Sequence, residues 1–571
     1  MSLLFYMGLH FLCCPLRRTL IGWSRSHSPL EIPTKCGPEN RKYKSNTGSG
    51  SWSGTPWHST MKHEPLPKSE YYTYLLLSLG IHFYSFYQVY LSSRAHEEII
   101  EEEIGLEEEG FLGGLKKDVT DFEWSFWMEW AHSRLLWLML GHALLSQFGR
   151  IFFRKYHPWL LMVYGMVACW LVLGTKGLVT ISLNTVIFYV TAQMKLPAVT
   201  WLSTVCMLLV LHNEAVEDIQ RSWYDSENEF YLLQFTLTVR SLFYISYCLE
   251  YSSLQAGDKS IFSFPSLMLY VFYYPLFHNG PIINYNEFAK QIFAQDTRCT
   301  NFHPSGLVLD VLRLVLWWCL AELMIHTMYM HAISSSFTIL EDVSYWALGG
   351  LALALSLFFY VKYLVLYGFP ALIVRLDGVD APALPRCVST IYSFSGIWRC
   401  FDVGLHRFLV RYIYIPMGGS RSGLGGMLLS TASTFIFVSY WHGGHEYLWY
   451  WAALNWTGII VEYGFKRLLT FPSVQDTIDQ NLSPKTYRRL HAALASVSTA
   501  LVILTNLVFM GGEQVGKIYW ERLFVQGWPW IPLAVFSCLY CFAQVGIEWS
   551  LFLYPEYGGK FPLCLRYTAT K

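Results

Sequence analysis

The sequence has little charge. Asp, Glu, Lys and Arg make up 14% of its 571 residues, whereas a typical soluble protein carries about 25%. Apolar and aromatic residues, with Cys, make up 53%. Because so little charge does not cover a water-exposed surface of this size, we expect lipid to surround most of the protein. The 23 Trp and 38 Tyr fit this expectation, since their amphipathic rings favour the headgroup layer.

The sequence also lacks a basic excess, a metal-binding cysteine pattern and internal repeats. The 41 Lys and Arg balance 41 Asp and Glu, which argues against nucleic-acid binding. None of the 13 cysteines forms a paired zinc spacing, and the C-x-x-C pair Cys538 and Cys541 lies in an apolar run, where packed thiols are the favoured interpretation. The lack of repeats weakens the case for a transporter built from duplicated halves.

The chain divides into a polar N-terminal part and an apolar body. Residues 1–68 are rich in Ser, Gly, Pro, Lys and Arg, and the first positive charges follow the first apolar run, whereas a signal peptide has them before it. We therefore predict a disordered extension over 1–68, a membrane-embedded domain over 69–555 and a C-terminal tail over 556–571. Met61 is an alternative start that would remove nearly all of the extension.

Apolar runs of about 17–25 residues, the length that crosses a bilayer core, follow one another through the membrane-embedded domain. The sequence predicts an all-α, polytopic membrane protein with roughly nine to twelve transmembrane helices, together with re-entrant and interfacial helices. Leu115–Trp130 mixes Lys, Asp and Glu with Phe and Trp, so we expect it to lie in the interface. By the positive-inside rule, the basic loop Arg150–His157 faces the cytosol and the acidic run Glu97–Glu109 the lumen.

Two ionisable residues in strongly apolar sequence are candidates for chemistry. His442 ends the run Phe-Val-Ser-Tyr-Trp-His-Gly-Gly, and Asp402 lies among large apolar side chains. Such residues are costly within a membrane and often mark function. A neutral imidazole suits proton transfer near pH 7, and a carboxylate accepts a proton from a substrate amine or hydroxyl. The structural alternatives are a histidine whose nitrogens bind neighbouring groups and an ion pair of Asp402 with Arg399 or Arg411.

A basic and aromatic stretch precedes and follows Asp402. Arg399, Arg407 and Arg411 come after Trp398. An enzyme with a nucleotide-tailed donor needs cations for its phosphates, but arginines near a membrane surface also extend ordinarily to the headgroups. Both interpretations stay open.

Five segments, taken in order, resemble the membrane-bound O-acyltransferase family. The segments are Leu115–Trp130, Tyr274–Pro281, Ala383–Thr390, Asp402–His406 and Val438–Gly444. Each motif alone is of modest specificity, whereas five in order are strongly specific. The resemblance covers about residues 70–555, and it points to the branch that N-palmitoylates secreted hedgehog signalling proteins.

The resemblance implies a multi-pass enzyme of the endoplasmic reticulum membrane, with the Golgi as an alternative location. Its donor would be palmitoyl-CoA, and its acceptor the α-amine of the N-terminal cysteine of a hedgehog protein. Because CoA is too charged to cross the membrane and the acceptor lies in the lumen, the resemblance also implies an internal tunnel between the two sides.

The resemblance assigns roles to residues of this sequence. The essential histidine of the family falls on His442, and the second catalytic polar residue falls on Asp402. Most relatives that acylate hydroxyls carry asparagine at this second position, so an aspartate indicates the branch that acylates amines.

Further positions follow from the same resemblance. Trp398 and Arg399 match residues that line the acyl-CoA path, Asn506 matches a polar residue near the donor, and Cys387 matches a cysteine that ligates the iron of haem b. Cys400 departs from the expected aromatic residue, which concerns local packing.

Other functions remain as alternatives. An acyltransferase acting on a lipid or a serine hydroxyl is the alternative within the enzyme class. A transporter would use Arg240, Glu322, Asp402 and His442 as a polar path, and it would release no CoA from palmitoyl-CoA. A catalytically inactive scaffold is disfavoured by the presence of His442.

Overall fold

The computed structural model describes residues 65–108, 114–254, 261–293 and 304–553. These residues are predominantly α-helical and form no β-strand, although one isolated antiparallel bridge joins Glu107 to Lys117. The predicted N-terminal extension, apart from its last residues, and the predicted C-terminal tail lie outside the described residues.

The helices follow one another along the whole described chain. They are α1 Lys68–Ala95, α2 Glu97–Glu103, α3 Phe122–Trp130, α4 Leu136–Phe152, α5 His157–Gln193, α6 Pro197–Leu211, α7 Glu214–Arg221, α8 Glu227–Ser252, α9 Phe264–Phe272, α10 Tyr285–Ile292, α11 Pro304–Thr327, α12 Met330–Ser335, α13 Phe337–Asp342, α14 Tyr345–Leu376, α15 Phe394–Cys400, α16 Val403–Leu409, α17 Gly423–Trp441, α18 Glu446–Leu468, α19 Pro472–Asn481, α20 Pro484–Trp520 and α21 Trp530–Leu553.

Seven helical segments of the described chain are long and apolar enough to cross a membrane, or eight if α6 and α7, bent by 64°, form one span. This is fewer than the nine to twelve crossings that the sequence predicts. The difference arises at α1, α11 and α18, which have 28, 24 and 23 residues. These helices are long enough to cross a membrane. Their tyrosines, tryptophans and charged residues, however, give them a lower mean hydropathy or more charge than the seven segments above. The orientation of the loops stays a prediction.

One face of the segment around α3 packs into the protein body, while Phe122 and Glu129 are exposed, so its position in the interface stays a prediction. Four aromatic side chains of α3 are buried: Trp124, Phe126, Trp127 and Trp130. Two of its acidic residues also face inward, because Asp121 and Glu123 both pair with Lys362 of α14 at 2.9 Å.

Two buried helices, α8 and α14, form the centre of the fold. In their most apolar windows, 83% of α8 and 72% of α14 is buried. Helix α8 packs on α5 and α6, while α14 packs on α1, α11 and α20. The fully buried Arg240 of α8 donates hydrogen bonds to the backbone oxygens of Val271 (2.8 Å) and Leu276, and its guanidinium lies 3.6 Å from the Phe243 ring centroid. Arg240 therefore anchors α8 to the irregular segment after α9.

Candidate active site

A large cavity of about 520 Å³ lies within the described helices. Its walls come from α1, α3, α8, α14 to α18, α20 and α21, and from the segments between them. Four of the residues that the sequence singles out line it together: Asp402, His442, Trp398 and Asn506. Although His442 and Asp402 are 40 residues apart in the sequence, the fold brings both to one chamber, as a shared reactant requires.

The Asp402 carboxylate is held by the start of a helix and by one tyrosine. Asp402 is the N-cap of α16, where Oδ1 accepts a hydrogen bond from the Leu405 N–H at 2.8 Å. The Tyr367 hydroxyl donates a hydrogen bond to Oδ2 at 3.1 Å. Among the described residues no ion pair joins Asp402 to Arg399 or Arg411, and Arg411 pairs with Glu250 at 2.5 Å. The structural alternative for Asp402 is therefore wrong.

A close backbone contact fixes the position of α16. A Cβ atom at Gly404 would lie 2.5 Å from the backbone oxygen and 2.8 Å from the backbone nitrogen of Ile282. Real Cβ atoms do not approach backbone atoms this closely, so only glycine allows the contact. Because Asp402 caps this helix two residues earlier, Gly404 also sets where the carboxylate lies.

His442 ends α17 and is placed by the turn that follows it. Its backbone N–H donates to the Val438 oxygen at 3.0 Å, and Gly443 and Gly444 continue with φ of 113° and 68°, values that favour glycine. The ring centroid lies 5.6 Å from that of Phe509. In the described part of the chain no group hydrogen-bonds the imidazole, so the alternative of a structurally satisfied histidine is wrong. His442 has exposed surface, and it lines the cavity.

Burial shifts both groups towards their neutral forms. Asp402 precedes and His442 follows the apolar segment Val403–Trp441. Burial raises the pKa of the Asp402 carboxyl, and hydrogen bonds, first that from the Leu405 N–H, oppose the rise. Burial lowers the pKa of His442 to about 4. At neutral pH the imidazole is therefore uncharged, with one nitrogen that donates and one that accepts.

Trp398 and Asn506 form part of the cavity wall. The Trp398 indole N–H donates to Asn455 at 3.2 Å, and its ring packs on Trp451 with centroids 5.4 Å apart. The Asn506 amide donates to the Val502 backbone oxygen at 2.8 Å. Both side chains are thus fixed by neighbours before any ligand enters.

Arg399 and Cys387 do not line the cavity. Arg399 is exposed, because consecutive residues of a helix point in directions about 100° apart and Trp398 takes the inward direction. Cys387 is a buried cysteine that precedes Val388, Ser389 and Thr390 of the wall. That Arg399 lines the acyl-CoA path, as the resemblance implies, stays a prediction.

The sequence-based interpretation missed two polar residues of the wall, Tyr367 and Glu123. Tyr367 is one of several aromatic residues in an apolar span, and the neighbouring sequence does not distinguish it from the others. Glu123 could have been sought through Lys362, because a lysine within an apolar helix predicts an acidic partner. A second cavity of about 170 Å³, lined by Glu123, Lys362 and Asp121, adjoins the first and shares Glu123 with it.

Comparison with known proteins places these residues in a family. The model of the membrane-bound O-acyltransferase family matches residues 186–505, a range that contains Asp402 and His442. The chain is 54% identical over 492 residues to the protein-cysteine N-palmitoyltransferase HHAT of Mus musculus, covering 85% of this chain and 99% of that protein. It is 29% identical over 361 residues to the protein-cysteine N-palmitoyltransferase Rasp of Drosophila melanogaster, covering 62% and 70%. It is also 27% identical over 446 residues to an HHAT-like protein of Mus musculus, covering 76% and 85%.

Proposed function

The chain belongs to the membrane-bound O-acyltransferase family, and from this premise we propose that it transfers palmitate from palmitoyl-CoA to the α-amine of the N-terminal cysteine of a hedgehog protein. The names of the HHAT and Rasp relatives support a protein-cysteine N-palmitoyltransferase. The observation that carries the proposal is that Asp402 and His442 line one cavity. A secreted acceptor supports a location in the endoplasmic reticulum membrane.

The reaction is the aminolysis of a thioester. The α-amine nitrogen attacks the carbonyl carbon, an amide bond forms, and the carbon–sulfur bond to CoA breaks. An α-ammonium group has a pKa of about 7.7–8.0, so a fraction is already neutral at neutral pH. Asp402, as the carboxylate, accepts a hydrogen bond from the α-amine and takes the one proton that the attacking nitrogen loses, and that proton leaves with the CoA thiol. His442 either polarises the carbonyl oxygen or passes the proton to the departing sulfur.

The shape of the chamber supports a protein that is both a tunnel and a catalyst. Apolar residues of α14, α20 and α21, such as Leu357, Val502 and Leu539, line one part of the wall, and they suit an acyl chain. Thr238, Asn279 and Gly280 line another part and offer polar groups to a peptide. Arg399, outside the chamber, is placed to meet the charged part of the donor.

The alternatives lose support. Arg240 and Glu322 do not line the cavity with Asp402 and His442: Arg240 binds backbone oxygens, and Glu322 accepts a hydrogen bond from the buried Trp124 indole at 3.2 Å. The four residues therefore do not form the polar path that a transporter needs. An acyltransferase for hydroxyl groups would be expected to carry asparagine at 402.

Mass spectrometry of an acceptor peptide tests the proposal. We expect the purified protein, given palmitoyl-CoA and a peptide that begins with cysteine, to release CoA and to add one palmitoyl group to the α-nitrogen. The same peptide with an acetylated N-terminus is the matched control, and we expect it to remain unmodified. Palmitate found only on sulfur or oxygen, or a palmitoylated acetyl peptide, would contradict the proposal.

Haem b is the part of the proposal that rests on the resemblance alone. A single cysteine thiolate is a known axial ligand of haem iron, and Cys387 is a cysteine, so the donor type fits. When bound, haem would supply a redox-active iron. Acyl transfer involves no change of oxidation state, so no step of the mechanism needs it.

Visible absorption tests the assignment of Cys387. We expect the purified protein to show a Soret band that is lost in Cys387→Ala, because the axial thiolate is removed. Cys169→Ala is the matched control, since Cys169 is another buried cysteine and its loss should leave the band in place. A band that survives in Cys387→Ala would show that this residue holds no haem.

A further inference from the structure

Two tyrosines of α14 lie one helical turn apart and bind different carboxylates of the cavity wall. The rings of Tyr363 and Tyr367 contact each other edge to face, with centroids 5.1 Å apart. The Tyr367 hydroxyl donates to Oδ2 of Asp402 at 3.1 Å. The Tyr363 hydroxyl donates to the Glu123 carboxylate, 2.9 Å from Oε1 and 3.2 Å from Oε2. The same residue type on one helix thus serves two acidic groups.

Tyr367 has a special position among the donors to Asp402. It is the one side chain of the described residues that donates to this carboxylate. The other donors are backbone N–H groups at the start of α16, with that of Leu405 bound to Oδ1. A carboxylate accepts about four hydrogen bonds. With Oδ1 held by the helix and Oδ2 by the tyrosine, the remaining lone pairs stay available to a substrate.

We propose that Tyr367 is a positioning residue, whose hydroxyl fixes Oδ2 of Asp402 so that the carboxylate meets the ammonium group of the acceptor in one orientation. This inference rests on the proposed function and deepens it. The hydroxyl acts through Asp402, to which it donates its hydrogen bond. A rotated carboxylate would still cap α16 through Oδ1, but it would accept the substrate proton in a poorer geometry.

Tyr363 does not carry the same role, because Glu123 has a second partner. Lys362 Nζ lies 2.9 Å from Glu123 Oε2 and 2.9 Å from Asp121 Oδ2. The lysine therefore continues to hold Glu123 when the Tyr363 hydroxyl is removed. Asp402 has no lysine or arginine beside it in the described part of the chain. The same change, tyrosine to phenylalanine, should thus have different consequences at the two positions.

A matched pair of variants tests the proposal with palmitoyl-CoA and a peptide that begins with cysteine. In Tyr367→Phe we expect kcat to fall about tenfold, the size of one lost hydrogen bond to a charged group, with KM for palmitoyl-CoA unchanged. The acidic limb of the kcat profile should move to higher pH, because a hydrogen bond that favours the ionised carboxylate is lost. In Tyr363→Phe we expect kcat within about threefold of wild type and an unmoved limb, because Lys362 continues to hold Glu123.

The titrating groups of the chamber bear on how this pH profile is interpreted. Besides Asp402 and the tyrosines, the wall carries one other carboxylate, Glu123, and four histidines, His82, His212, His406 and His442. Neither tyrosine hydroxyl contacts a histidine in the described residues. A shift confined to Tyr367→Phe therefore reports on Asp402, whereas an equal shift in both variants would overturn the proposal.

A double variant shows whether Tyr367 acts through Asp402. In an Asp402→Asn background we expect Tyr367→Phe to cause no further loss, because residues that act as one unit are not additive. A further tenfold loss in that background would overturn the proposal. An active wild type with an unaffected Tyr367→Phe variant would overturn this inference alone. An inactive wild type would overturn the proposed function and the inference with it.

Discussion

Replacement of His442 by alanine is expected to reduce palmitate transfer by about 10²–10⁴-fold, the usual cost of losing a general acid–base group. The imidazole lines the cavity and is the neutral form at neutral pH, so it can donate to the carbonyl oxygen or to the departing sulfur. The protein should still fold, because the ring makes no hydrogen bond within the described chain and faces an existing cavity. The transfer rate per folded protein, with the thermal unfolding midpoint beside it, measures both expectations.

A second histidine of the same turn is the matched control. His445 is exposed, lies three residues after His442 and does not line the cavity. We expect His445→Ala to keep activity within about threefold of wild type. If His442→Ala also stayed within that range, the imidazole would have no part in the chemistry, and the proposed mechanism would have to be abandoned.

A glutamine at 442 separates the two roles that are open for the imidazole. Its amide donates a hydrogen bond but does not exchange protons near neutral pH. If His442 mainly polarises the carbonyl oxygen, His442→Gln should recover part of the activity that the alanine variant loses. If His442 passes the proton to sulfur, the glutamine and alanine variants should be equally slow.

Asp402 and His442 could be selected from the sequence because ionisable residues are unusual in strongly apolar runs. An acidic group and an imidazole within strongly apolar runs are expensive without a function, and that local signal needs no knowledge of the fold. The cavity that joins them depends on how α16 and α17 pack with α14 and α20. The two residues were predicted from the sequence, and the resemblance implied an internal tunnel between the two sides of the membrane.

The contacts that orient the site could not be predicted in this way. Tyr367 is one of many aromatic residues in apolar spans, and its hydroxyl gains a role only when α16 is placed beside α14. Glu123 and Lys362 are 239 positions apart, so no local pattern pairs them. The same pairing shows that Asp121 and Glu123 of Leu115–Trp130, which the sequence suggests are solvated, face a buried lysine.

Replacement of Asp402 by asparagine is the second change for which we expect a loss of about 10²–10⁴-fold. Asparagine has the shape of aspartate, but it neither ionises nor takes a proton from an amine. It also caps helices as well as aspartate does, so α16 should keep its start at Val403. The activity should therefore fall while the thermal unfolding midpoint stays close to that of wild type.

Alanine at 402 completes the argument, because it removes the cap as well as the charge. The N-cap hydrogen bond to the Leu405 N–H is lost, at a cost of about 0.5–2 kcal/mol of stability. If Asp402 takes the substrate proton, the two variants should be equally slow although only Asp402→Ala is destabilised. If Asp402 serves only to begin α16, activity should follow stability, and Asp402→Asn should work almost as well as wild type. Rates and unfolding midpoints of the two variants, measured side by side, decide between a carboxylate that reacts and one that only caps a helix.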